Sequence, residues 1–137
     1  SIVVPQGEDA VQIMTIHKAK GLEFPVVIYP FANSPIKDTA RESLWMNLPE
    51  SLKSEINVAY IQASEKMKHW EGEAPGLYEE LCFNSQLDAL NVLYVALTRP
   101  VQRLYVVSKM ELGKKGEENT NKFSGLFISY LKHAGRR

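Results

Sequence analysis

Two short apolar runs with β-branched members, Val11–Ile16 and Val26–Phe31, flank a polar connector from His17 to Pro25 that holds two lysines, a glycine and a glutamate. Largely continuous apolarity, rather than alternation, marks a strand covered on both faces. Both runs are therefore expected to be buried strands. Strand, glycine-containing polar loop, strand is also how an α/β sheet presents a ligand site at its edge.

Downstream the pattern weakens. From Asn33 to about Gln86 short strands are expected at Leu44-Trp45-Met46 and Val58–Ile61, with helical turns at Ser64–Trp70 and Leu77–Phe83. Gly72, Pro75 and Gly76 should break the stretch between those two turns. Residues 33–86 thus read as an insertion decorating the sheet. Helical spacing returns at Leu87, Leu90, Leu93, Tyr94 and Leu97, and Pro100 should end that helix, because the residue before proline avoids the helical region. Arg99 would then sit at its last turn. Arg103–Ser108 reads as a buried strand, residues 110–122 as a polar loop or linker, and Phe123, Leu126, Phe127, Tyr130 and Leu131 as one face of a closing amphipathic helix. Strand, loop, strand, insertion, helix, strand, helix predicts an α/β fold with a mostly parallel sheet.

Composition sets bounds on partners. Sixteen basic and sixteen acidic side chains cancel, so polyanion binding has to come from a local arrangement. The single cysteine, Cys82, excludes an internal disulfide framework, fits a reducing cytoplasmic setting and is expected to be inert and partly buried. No apolar run approaches the roughly 18 residues of a membrane span, so no membrane partner is expected. His69 and His133 lack partners at ligand spacing, and no metal site is expected. Trp45 and Trp70 are expected to pack in the core rather than stack on bases. The chain opens at Ser1, without methionine, which reads as a piece of something longer.

Two segments go further. The stretch Val11-Gln12-Ile13-Met14-Thr15-Ile16-His17-Lys18-Ala19-Lys20-Gly21-Leu22-Glu23-Phe24-Pro25-Val26-Val27 resembles motif V of UvrD/RecB-type superfamily 1 DNA helicases. Leu93-Tyr94-Val95-Ala96-Leu97-Thr98-Arg99 resembles motif VI of the same group, in the same order and with an insertion between. The resemblance implies residues 1–137 as part of a second, RecA-like motor domain. Its implied partner is a first motor domain of the same parent chain, which carries the phosphate-binding loop. ATP with Mg²⁺ would bind between the two, held mainly by the first. Single-stranded or partly duplex DNA would cross their tops. The His-Lys-Ala-Lys-Gly-Leu-Glu form resembles the RecB/AddA branch, which brings in a nuclease partner and work in DNA repair or recombination.

Carried over residue by residue, Arg99 matches the arginine that reaches the γ-phosphate, where a fixed planar charge suits developing negative charge. The competing reading is a helix cap. Glu23 matches the family glutamate near the nucleotide's ribose; otherwise it would form a surface ion pair with Lys18 or Lys20. Gly21 suits the tight turn beside the nucleotide. Thr15 and His17 match positions facing DNA, where hydroxyl and imidazole can bind phosphate without reading a base. Lys18, with Lys20, would add phosphate contacts or remain solvated.

Two positions depart from the family: Asn91 stands where an arginine is common, and Pro100 where alanine is usual. The Gly-x-x-x-x-Gly-Lys-[Ser/Thr] loop is absent. Hence the expectation is a helicase fragment that supplies an arginine finger and is inactive alone. The alternative is an orphan RecA-like module that binds DNA or a partner without turnover.

Overall fold

A computed structural model describes residues 10–52, 56–112 and 116–135. In chain order these residues form β1 (Phe24–Tyr29), β2 (Ser43–Asn47), β3 (Val58–Gln62), α1 (Ala74–Leu97), β4 (Pro100–Val106) and α2 (Phe123–His133), with single 3-10 turns at Glu50–Leu52 and Glu65–His69. The architecture is α/β: a parallel pair β1–β4, an antiparallel hairpin β2–β3, and helices.

β1 and β4 are distant in sequence and adjacent in space. Phe24 pairs with Pro100 and Val26 with Arg103, so one extra residue is accommodated at the start of β4. Pro25 falls at that irregularity, where its missing N–H costs no regular ladder bond. The pairing begins with the Phe24 N–H donating to the Arg99 carbonyl at 3.0 Å.

The best-buried apolar cluster is built from the β2–β3 hairpin, the Glu65–His69 turn and the first half of α1. Met46, Ala63, Met67, Ala74 and Tyr78 are buried together, with Leu44, Ile61, Leu77, Leu81 and Cys82 packed against them. Alternation explains the hairpin's contribution: Leu44 and Met46 point inward from β2, and Ala59 and Ile61 from β3. Glu73 ties the start of α1 to β2 by accepting from the Asn47 backbone N–H at 2.5 Å and from Asn47 Nδ2 at 3.1 Å. That pairing with Asn47 holds the Glu73 carboxyl below the usual carboxylate range.

Several expectations are corrected. Val11–Ile16 forms no strand; Ile13 is 96% exposed, because no described strand lies alongside to receive its hydrogen bonds. β1 and β4 alternate in burial instead of being covered on both faces, and Val26, Ile28 and Tyr105 are exposed. The turn expected at Leu77–Phe83 and the helix through Leu97 are one continuous α1. Pro75 and Gly76 lie in its first turn, where a missing N–H is harmless, so they start the helix rather than break it. Trp45 is 67% exposed, its ring 4.9 Å from that of its cross-strand neighbour Tyr60, and Trp70 is also exposed. Neither tryptophan is a core residue, because both fall on the solvent side of the small cluster.

Candidate functional site

The His17 connector folds into a compact turn. The Ala19 N–H donates to the carbonyls of Thr15 and Ile16, that of Lys20 to His17 O, and that of Leu22 to Ala19 O. Thr15 Oγ1 accepts from the Lys18 N–H at 3.3 Å, so its hydroxyl braces the turn it opens. Ala19 is buried beneath. Gly21 takes φ +81°, which L side chains rarely adopt, and releases the chain towards β1. Thr15, His17, Lys18, Lys20, Gly21 and Glu23 are all exposed.

Glu23 forms no ion pair with Lys18 or Lys20 among the described residues. The surface-pair reading of Glu23 therefore lacks its partner. The His17 imidazole likewise makes no side-chain hydrogen bond to a described residue.

Arg99 closes the site from the other side. At the end of α1 Tyr94 O accepts twice from Thr98, from its backbone N–H at 3.0 Å and from its hydroxyl at 2.7 Å. Arg99 then folds over the same end, its Nε donating to Val95 O at 3.1 Å and its Nη2 to Thr98 Oγ1 at 3.0 Å. Its Nη1 reaches across to Leu22 O at 3.1 Å. The guanidinium thus caps its own helix and clasps the loop residue next to Glu23. A guanidinium has five N–H groups, so these three bonds leave one on each Nη.

The sequence-matched residues do come together. Thr15, His17, Gly21 and Glu23 belong to one turn, and Arg99 is bonded to that turn at Leu22. The Leu22 carbonyl and the Thr98 hydroxyl went unnoticed in the sequence; only the position of Thr98 beside a helix-terminal arginine could have pointed to it. Two cavities of about 560 Å³ lie near the β2–β3 hairpin, but neither is lined by Arg99 or by residues 15–23. Among the described residues no three His, Cys, Asp or Glu side chains converge on a metal position, and no helix is long and apolar enough to cross a membrane.

Residues 4–111 match the family described as the UvrD-like helicase C-terminal domain. A Streptococcus pneumoniae protein named as an ATP-dependent helicase/nuclease subunit is 35% identical over 121 residues, covering 80% of this chain and 10% of its own length. A protein of the same name from Leuconostoc mesenteroides is 34% identical over 119 residues, covering 86% of this chain and 9% of its own. Another S. pneumoniae relative, exonuclease/helicase subunit RexA, is 34% identical over 121 residues, with 80% and 10% coverage. The chain therefore spans about a tenth of the length of these curated relatives. With both motif segments inside the matched region and joined through Arg99 and Leu22, the chain belongs to the UvrD-like helicase C-terminal domain family.

Proposed function

We propose that this chain is the arginine-bearing part of the motor of an ATP-dependent DNA helicase that serves repair or recombination. It acts with a P-loop-bearing first motor domain of the same parent, and residues 33–86 are an insertion within it. The observation that carries this reading is the bond from Arg99 Nη1 to Leu22 O, which sets a guanidinium beside an exposed glutamate on one junction of loop and helix. A cation for phosphate and a carboxylate for ribose hydroxyls are the two ends of one nucleotide's chemistry. ATP with Mg²⁺ supplies the phosphoryl bond whose cleavage drives the motor. The residues at the junction fit its outer edges. The sequence carries no phosphate-cradling Gly-x-x-x-x-Gly-Lys-[Ser/Thr] loop, and among the described residues no cluster could hold the metal.

In this reading Arg99 is parked on carbonyls and turns from Leu22 to the γ-phosphate when a nucleotide-bearing partner docks. Thr15, His17 and Lys18 serve single-stranded or partly duplex DNA, while Gly21 and Glu23 serve nucleotide. An apolar row on α1, formed by Phe83, Leu87, Leu90 and Tyr94, stays exposed and supports contact with further parts of the parent. The nuclease in the relatives' names fits a parent that also cuts DNA, in its own chain or through a partner. Such an enzyme would work in the cytoplasm.

The test is purified chain with ATP, magnesium and single-stranded DNA. No DNA-stimulated hydrolysis is expected from the chain, and strong stimulation from the full-length enzyme. Turnover by the chain itself, surviving removal of contaminating ATPases, would overturn the division of labour.

A further inference from the structure

At the far end of β1 from Arg99, Phe31 adopts φ +58° and is 80% exposed. Non-glycine residues are uncommon in that region of backbone space, and bulky ones are strained there. The surrounding chain enforces the conformation. Ala32 is fully buried, and its N–H donates to Val107 O at 2.9 Å. Ser108 Oγ lies 2.8 Å from Ala32 O and 2.9 Å from Asn33 Oδ1, sharing its one proton between these acceptors. Asn33 Oδ1 also takes the Lys109 N–H at 2.7 Å. The ends of β1 and β4 are therefore locked together by backbone and by Asn33 and Ser108, with no help from the Phe31 ring. A glycine would serve the turn without strain. The ring is kept in a costly conformation and buries almost nothing within the chain.

We propose that Phe31 is a stacking platform for a base of single-stranded DNA, at the edge of the sheet opposite the Arg99 junction. This rests on the DNA reading above. A flat π-face set out in water from a locked backbone turn suits base stacking, and such stacking tolerates any base. Lys109, exposed on the strand end tied to Asn33, supplies positive charge for the adjoining phosphate. The sheet edge where β1 and β4 end is also where α/β sheets commonly present ligand surfaces.

The test uses the full-length enzyme with a single-stranded oligo-dT and the same oligomer carrying consecutive abasic sites. Phe31→Gly removes the ring and relieves the backbone, so the protein should fold as before. Its affinity for oligo-dT should fall roughly 5- to 150-fold, the range expected for losing one stacked base. Phe31→Tyr should stay within about twofold of wild type, since the phenol ring still stacks. Wild type should prefer the intact oligomer over the abasic one by a larger factor than Phe31→Gly does. Oligo-dT affinity of Phe31→Gly within about twofold of wild type would overturn the proposal. So would an equal abasic preference in both proteins, or a fall in melting temperature with DNA affinity intact, which would assign the ring to an apolar contact inside the parent. Failure of the wild-type enzyme to bind the oligomer at all would instead remove the DNA reading itself.

Discussion

Arg99 donates from Nη1 to the carbonyl of Leu22 at 3.1 Å, so the end of one motif segment is bonded to the neighbour of Glu23 in the other. The bond has two consequences that can be separated by experiment. It stabilises the junction at rest, and it occupies the group proposed to act on phosphate.

In the full-length enzyme, Arg99→Ala is expected to depress turnover by about 10³- to 10⁵-fold while nucleotide affinity changes far less, because a finger acts on transition-state charge. Arg99→Lys should recover only part of that rate, since an ammonium lacks the planar fork. The measurement is kcat and KM for ATP with saturating DNA. Turnover of the alanine variant within about threefold of wild type would leave Arg99 as a helix cap and nothing more.

The turn from Thr15 to Glu23 is proposed to serve two surfaces. His17→Ala should weaken DNA stimulation of hydrolysis and leave DNA-free turnover nearly unchanged, with an effect of about 1–3 kcal/mol for a contact to charge. Glu23→Ala should weaken ATP binding with or without DNA. Rates measured against DNA and against ATP for both variants decide it. Identical profiles would mean that the turn has a single role.

Acid should loosen the start of α1. Glu73 has a folded-state pKa below its ordinary value because it accepts from Asn47. Its contribution is therefore complete above the ordinary carboxylate pKa and is lost as pH falls through the depressed folded value. Hydrogen exchange at the amide of Asn47 should accelerate over that acid window, and Glu73→Gln should flatten the response. A wild-type amide whose protection is independent of pH below the ordinary carboxylate range would refute the link.

Gly125 in α2 has no room for a side chain: a Cβ there would collide with the Asn119 carbonyl. Gly125→Ala should force the 118–122 segment off the helix, at a cost of about 1–3 kcal/mol typical of overpacking. Faster hydrogen exchange along residues 123–133 of the full-length enzyme is the expected readout. Unchanged exchange would show that the segment yields freely.

The legible parts were those whose signal is local. The short apolar runs in β1, β2 and β3 and the existence of α2 were visible because each signal is local to its element. The expected face of α2 holds only at its start: Phe123 is buried, whereas Tyr130 and Leu131 are exposed. The motif segments were readable residue by residue, and the structure brings them together. Val11–Ile16 misled because apolarity does not supply a neighbouring strand, and Trp45 because a large ring says nothing of which face it takes. The Arg99–Leu22 clasp was hidden for a different reason. Its acceptor is a backbone carbonyl, which every residue type provides, so no side-chain pattern could announce it. Phe31 was read as the last residue of a strand, since a backbone angle imposed by Asn33 and Ser108 leaves no mark on Phe31 itself.

The pairing of β1 with β4 also has a consequence in time. Residues 24 and 100 must meet before the turn bearing Glu23 and the helix end bearing Arg99 face each other. Contacts so remote in sequence form late, because closing a long loop costs entropy that local packing can first reduce. The Met46–Met67–Tyr78 cluster lies wholly within that loop and shortens the gap as it condenses. The junction should therefore assemble after that cluster as the chain leaves the ribosome. Pulse-labelled refolding in which β1 gains protection before the β2–β3 hairpin would reverse that order. In the expected order, a nascent chain carries the Met46–Met67–Tyr78 cluster folded while the junction of Glu23 and Arg99 is still open.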